Sequence, residues 1–325
     1  MTELNTAVAG IDTGKATLDI AVHGAPESWQ VPNTADGWRQ LAERLAGHGV
    51  GHVGIEASGG YERGVIAHLR AAGVRVSLHQ PAQIKAFARM QLRRAKNDRL
   101  DARLIAAFTA LLDGERPAPD PRLQDPRLQA FADHLTFIEQ AEQDMVRATT
   151  RLEHQAEPRL RRLIAGDLAR ARQRRARELA RLVSALRAQH DLARRLDLVL
   201  SIPGIGLRTA VALVVGMPEL GTLTREQAAA LAGLAPFDRD SGKKKGERHI
   251  AGGRARVRTA LYAAALPAAY RWNRALVALR ERLTARGKSH KQAMIACARK
   301  LLIFANTVLA RATPWNQSAP NGCSG

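Results

Sequence analysis

The chain has 325 residues, 46% of them hydrophobic, and carries 50 Lys and Arg against 30 Asp and Glu, a formal charge of +20. Such a composition allows two or three domains with buried cores and excludes global disorder. The excess positive charge calls for a polyanion, with nucleic acid ahead of a membrane surface.

The first 110 or so residues read as α/β. "TAVAGID" and "ATLDIAVHG" are short strand-like runs joined by a "TGK" hairpin turn. "HVGIEAS" is a third strand, "YERGVIAHLRAAG" a helix stopped by glycine, and "VRVSLHQ" a fourth strand, followed by a helix from Asp98 to Leu112. A hairpin and then strand–helix–strand–helix predicts a mixed sheet with helices against it. The proline-rich "DGERPAPDPRLQDP" breaks this pattern, so the first domain is expected at 1–115.

A helical middle is expected at 116–197. Leu128, Phe131, Leu135, Ile138, Met145 and Leu152 trace a heptad seam, and Leu179, Leu182, Val183 and Leu186 a second helix after Pro158. A helical hairpin and an intermolecular coiled coil both fit. Eight arginines between Arg159 and Arg177 suit a solvated face and a nucleic-acid contact equally. From residue 198 to 311 a mainly α domain is expected, and the tail 312–325, "ATPWNQSAPNGCSG", reads as disordered. No apolar run reaches the roughly 18 residues of a membrane span, and the N-terminus lacks a basic, apolar leader. Cys297 and Cys323 form no CxxC pair, which argues against zinc and disulfides and fits a reducing cytosol.

Four acids stand out. Asp12 and Glu56 each close a short apolar strand beside a turn, where a plain strand-end acid is the bland alternative. Asp98 and Asp101, spaced i, i+3, continue a helix face formed by Leu104, Ile105 and Phe108, the stripe expected to pack on the sheet. A dipole-complementing first turn, capped by Asn97, explains Asp98 better than Asp101. Four converging carboxylates would repel one another without a cation, and Mg²⁺ takes oxygen ligands alongside phosphate. On spacing alone this is a candidate metal-dependent phosphodiester site.

Further along, "LAPFDRDSGKKKGERHIAGGRARVR" sets Ser241 among Lys243, Lys244, Arg254, Arg256 and Arg258. Read locally it is a basic turn, and its cations suit either a transferring phosphate or a simple backbone grip. His249 reads as a solvated loop histidine rather than a general base. In "SIPGIGL", Gly204 and Gly206 open a helix, as a cap or as a turn offering N–H groups to phosphate.

"GIDTGKATLDIAV", "IEASGGYERGVIAHLRAAGVRV" and "AKNDRLDARLIAAF" together resemble the DEDD transposases of the IS110 family of bacterial insertion sequences. The second half is similar to that family's C-terminal domain through "SIPGIGLRTAVAL", "LAGLAPFDRDSG" and "GGRARVRTALYAAAL". The resemblance implies an RNase H-like, RuvC-like N-terminal domain in which Asp12, Glu56, Asp98 and Asp101 bind Mg²⁺. It also implies a nucleophilic Ser241 that forms a phosphoserine, a homo-oligomer, active sites shared between the two domain types, and a structured RNA bridging donor and target DNA. A bacterial cytoplasmic, nucleoid-associated protein follows. The competing readings are a RuvC-like Mg²⁺-dependent junction nuclease without a covalent step and a non-enzymatic basic coiled-coil protein that coats nucleic acid. An actin-like ATPase would need a second phosphate hairpin, which the C-terminal half lacks.

Overall fold

The computed structural model describes residues 7–91, 98–112, 125–237, 249–250 and 252–316. The chain divides into two compact units, residues 1–118 and 119–325.

The first unit is built on a five-stranded sheet of order β3-β2-β1-β4-β5. Strands β1 (Ala7–Thr13), β2 (Thr17–Val22) and β3 (Ser28–Pro32) form an antiparallel meander, and β4 (Val50–Glu56) and β5 (Arg75–His79) run parallel to β1. This is the mixed sheet expected from the sequence, with one strand more. The additional strand, β3, alternates buried Trp29 and Val31 with outward Ser28, Gln30 and Pro32, and its terminal proline suits a sheet edge. Helices α1 (Ala35–Gly47) and α2 (Arg63–Ala71) cover one face, where Leu41, Leu45, Val65 and Leu69 meet Ala9, Ile11, Val53 and Ile55. Helix α1 starts cleanly because the Thr34 hydroxyl accepts the Gly37 N–H.

The other face carries α4 (Asp98–Leu112) with α3 (Pro81–Met90) alongside. Small residues, not the large stripe, lie on the sheet. A Cβ at Gly10 would collide with the backbone of Ala102 and Ala106, and one at Gly54 with the Thr109 hydroxyl, so two glycines let α4 sit directly on β1 and β4. Leu104, Ile105 and Phe108 instead cluster with Ile84 and Phe87 of α3, which corrects the expected packing.

In the second unit, α5 (Pro126–His154) and α6 (Pro158–Arg187) form an antiparallel hairpin turned at Gln155–Glu157. Its root is apolar: Leu135, Ile138, Leu182 and Leu186 join the main cluster, with Leu128 and Phe131 packed against it. Toward the tip, Val146, Leu160 and Leu163 are exposed. The seam expected as a coiled coil is therefore an intrachain helix pair over its root, and an intermolecular coiled coil is not shown.

Helices α7 (His190–Leu200), α8 (Leu207–Gly216), α9 (Arg225–Leu231), α10 (Ala255–Pro267), α11 (Arg274–Ala285) and α12 (His290–Arg311) complete the unit. A π-helical turn, Ala268–Trp272, and a short ribbon of β6 (Pro236–Phe237) and β7 (His249–Ile250) interrupt them. Helix α12 is long and apolar enough to cross a bilayer, which the run-length reading overlooked. Met294, Cys297, Ala298, Leu301, Leu302 and Ala305 are nevertheless fully buried in the main cluster, so it is a core helix of this unit.

Part of the tail expected to be disordered, residues 312–316, is packed on this unit. Trp315 packs on Phe304 with ring centroids 4.2 Å apart, and its backbone N–H donates to the Ser201 hydroxyl at 2.7 Å.

Candidate active site

Strand register decides where the first two acids point. β1 and β4 pair in parallel through Gly10↔Gly54 and Ile11↔Ile55, so Asp12 and Glu56 follow side by side at the strands' C-terminal ends. Alternation puts both on the same face as Gly10 and Gly54, the face occupied by α4. Neighbouring strands are about 4.8 Å apart, close enough for two carboxylates to share a cation. Both are half-buried.

The start of α4 lies on this same face. Ala102 and Ala106 lie over Gly10, so the first turn, Asp98 to Asp101, comes just before the helix's contact with β1. By helical spacing position 98 shares a face with Ala102 and Thr109, the sheet side. Asp101 is half-buried. The Asp98 side chain lies outside the described residues. Among the described residues no group of three His, Cys, Asp or Glu side chains is close enough to hold a metal ion. The donor chemistry still fits Mg²⁺: every candidate ligand is a carboxylate, with no thiolate or imidazole to favour a softer metal.

Two residues that sequence reasoning missed hold the strand-end loops. Asn33 donates from Nδ2 to the carbonyls of Gly14 and Tyr61, at 3.0 and 3.1 Å, and accepts the Trp38 indole N–H at 2.8 Å. It thus ties the turn after Asp12 to the loop after Glu56 and to α1. Glu62 is buried and accepts the N–H groups of Ser58 and Gly60 and the Ser58 hydroxyl at 2.8–3.1 Å. Burial works to raise its pKa, but these hydrogen bonds outweigh it and hold the carboxyl below its usual range. The "ASGGYE" segment signalled a turn, yet an acid closing its own loop from four residues away has no periodic signature.

The second unit presents the other candidates unequally. Ser241, Lys243 and Lys244 lie outside the described residues, as does the His249 side chain. The segment containing the serine is flanked by the ribbon, in which Pro236 pairs with Ile250 and Phe237 with His249. Its base is fixed by two glycines with positive φ: a Cβ on Gly233 would strike the Gly252 carbonyl, and one on Gly253 the Gly233 backbone.

Arg254 is a clamp within the fold rather than a phosphate contact. Its guanidinium pairs with both Glu219 oxygens and donates to the Gly216 carbonyl at 2.9 Å. Arg256 reaches Glu139 at 3.1 Å and the Thr136 hydroxyl at 2.6 Å while remaining largely exposed. Arg258 donates to the Gly252 carbonyl at 2.6 Å and is half-buried. Gly204 has φ +100°, and a Cβ there would meet Ala268, so packing explains it. Gly206 is the residue preceding α8 and faces open space.

Cys297 offers no rival nucleophile. It is fully buried, and burial pushes its thiol up to about 11 against a small opposing effect of Arg280.

Five arginines of α6, Arg159, Arg162, Arg172, Arg174 and Arg177, are exposed and have no carboxylate partner among the described residues. Arg161 instead donates to the Leu152 and Gln155 carbonyls at the end of α5, and Arg175 pairs with Glu142.

Two family models match. One, described as a transposase and specific to the DEDD domain of IS110 elements, covers residues 9–164. The other, described as the transposase IS116/IS110/IS902 family, covers residues 196–281. The chain is 26% identical over 322 residues to a pilin gene-inverting protein of Moraxella bovis, spanning 95% of this chain and 97% of that one. A pilin gene-inverting protein of Moraxella lacunata is also 26% identical, over 321 residues, with the same coverage. A 43.6 kDa protein of insertion element IS110 from Streptomyces coelicolor is 32% identical over 149 residues, 45% of this chain and 36% of that protein.

Proposed function

Because the chain belongs to the IS110 family of transposases and is a DNA strand-exchange enzyme, we propose that it recombines DNA through a covalent phosphoserine at Ser241, assisted by Mg²⁺ held on the acidic end of the sheet. The observation that carries this reading is the register that sets Asp12 beside Glu56 on the face where the Asp98–Asp101 turn begins α4.

In the proposed step, the Ser241 hydroxyl attacks a DNA phosphorus. An Oγ–P bond forms as the bond from phosphorus to one strand oxygen breaks, and the seryl proton passes through water to that oxygen, which leaves as a strand hydroxyl. A strand hydroxyl then attacks the phosphoserine and restores a phosphodiester, so no ATP is consumed. Asp12, Glu56, Asp98 and Asp101 would hold Mg²⁺, whose contribution is to neutralise charge on the phosphate. Asn33 and Glu62 fix the loops beside two of these acids. Lys243, Lys244, Arg256 and Arg258 grip phosphates near the serine.

The same cut, exchange and rejoining would serve either insertion or the inversion named for the Moraxella relatives. A structured RNA belongs to this reading as a partner, supported by the charge of +20 and the unpartnered arginines of α6. Self-association belongs to it too, supported by Val146, Leu160 and Leu163 exposed along the hairpin tip.

The test is adduct trapping. Incubated with DNA carrying the element's own ends and denatured, the wild-type protein gives a covalent protein–DNA band. Ser241→Ala gives none while still shifting the DNA. An undiminished adduct in Ser241→Ala sinks the serine assignment, and a metal-dependent cut with no adduct in the wild type favours the junction-nuclease reading.

A further inference from the structure

The second unit contains a cavity of about 620 Å³ at the foot of the β6–β7 ribbon, between the ribbon and the start of α12. That volume is ordinary for a small organic ligand. Leu234, Ile250 and Ile295 provide apolar surface, and Lys288, Lys291 and Arg299 provide positive charge. Among the described residues no carboxylate lines it and none of the three cations has an acidic partner. Its mouth also takes in the first turn of the 22-residue α12, which the Ser289–Gln292 capping box closes with Ser289 and Gln292. The positive end of that helix adds to the field of the cations.

Apolar surface and unpaired cations together have a specific meaning. Phosphate alone needs only the cations, because the phosphates of a duplex are reached without apolar contact. An apolar wall is useful where a base leaves its stack and lays its face on the protein. Ser241 follows Phe237 by four residues, so an extended chain of about 3.5 Å per residue keeps it within roughly 14 Å of the ribbon. A strand attacked by the serine therefore comes within reach of the ribbon whose foot borders this cavity.

From this combination we infer that the cavity holds an unpaired nucleotide of the DNA strand under attack, its phosphate on Lys288, Lys291 and Arg299 and its base against Leu234, Ile250 and Ile295. The identification of the strand rests on the phosphoserine reading; the preference for an unpaired nucleotide does not.

The experiment measures binding of the full chain to (dT)12, to a (dT)12 analogue with abasic sugars, to a 12-base-pair duplex and to U12, in wild-type and Ser241→Ala proteins. Replacing all three cations with alanine is expected to weaken (dT)12 binding at least about tenfold. Its salt slope should fall by about 2, since each single-strand phosphate contact contributes about 0.7. Ile295→Thr should cost about three- to tenfold on (dT)12, leave the slope unchanged, and have no effect on the abasic strand. Duplex binding should change by less than about threefold in every case.

Equal losses on duplex and single strand would reduce the cavity to a generic grip and overturn the proposal. A larger loss on U12 than on (dT)12 would assign it to RNA instead, and no loss anywhere would leave it without a ligand. Because the pattern is read in Ser241→Ala as well, failure here is separate from failure of the covalent step, which the adduct assay reads alone.

Discussion

The two units carry their candidate chemistry in different ways. In the first, Asp12 and Glu56 end adjacent parallel strands and Asp101 sits in the first turn of a packed helix, so backbone hydrogen bonds fix their directions. In the second, the serine segment is flanked by a ribbon of two residues per strand, steadied by the Gly233–Gly253 contact. The difference suits the division of labour proposed here. Metal ligands must hold a geometry to a fraction of an ångström, which packed strands and helices supply more precisely than a loop does.

That contrast can be broken one unit at a time. The largest structural effect is expected from Gly10→Ala, whose new methyl group meets the backbone of Ala102 and Ala106 rather than a flexible side chain. We expect a loss of about 3 kcal/mol. By hydrogen exchange, β1 and α4 should lose roughly 100-fold of their protection while α8 and α12 keep theirs. Equal loss in both units would contradict their independence.

A smaller effect is expected on the other side from Arg208→Met. Arg208 joins Glu139 and Glu142 of α5 to α8, with nitrogen–oxygen distances of 3.0–3.2 Å. Burial works to depress the guanidinium pKa, but the two glutamates hold it above its usual value. For Glu142 burial works upward, and the hydrogen bonds from Arg208 and Arg175 bring it below the ordinary carboxylate range. Removing the arginine leaves two half-buried acids that Arg175 and Arg256 serve only in part. We expect about 2 kcal/mol of destabilisation, confined to the α5–α6 root and α8.

The smallest effect comes from Glu62→Gln, at about 1 kcal/mol near neutral pH, from weakened acceptance of the Ser58 and Gly60 N–H groups. Because the folded pKa lies below the unfolded one, the carboxylate's contribution is complete above the usual carboxylate pKa and is lost as pH falls through the folded value. Urea titrations of wild type and variant should therefore differ at pH 7 and converge toward pH 3. A difference that persists in acid would contradict the assignment.

How much of this was legible in the sequence follows the same divide. The strands of the acidic motifs showed as apolar runs with their acids at the ends, and the i, i+3 spacing of Asp98 and Asp101 placed them on one face. The face itself was misjudged. Large apolar residues mark burial but not the partner, and it is Gly10 and Gly54 that bring the Ala102–Ala106–Thr109 side onto the sheet. Strand β3, α1 and α3 escaped notice: β3 is short and ends in proline, and each helix buries only two large apolar side chains, Leu41 and Leu45 in α1 and Ile84 and Phe87 in α3. Basic residues were read as a class. The structure separates Arg254, neutralised by Glu219, from Lys288, Lys291 and Arg299, which line a cavity no motif had marked. Charge can be counted in a sequence, but pairing depends on which acids the fold brings near.

The central proposal is that Asp12, Glu56, Asp98 and Asp101 would together hold a divalent metal required for strand exchange. The direct measurement is Mn²⁺ binding followed by electron paramagnetic resonance alongside strand-exchange rate, for the wild type and Asp101→Asn with DNA binding verified. The account predicts that Asp101→Asn weakens Mn²⁺ binding at least about tenfold and lowers exchange by about 10³-fold or more, some 4 kcal/mol of barrier. Unchanged metal binding together with unchanged exchange in Asp101→Asn would contradict it.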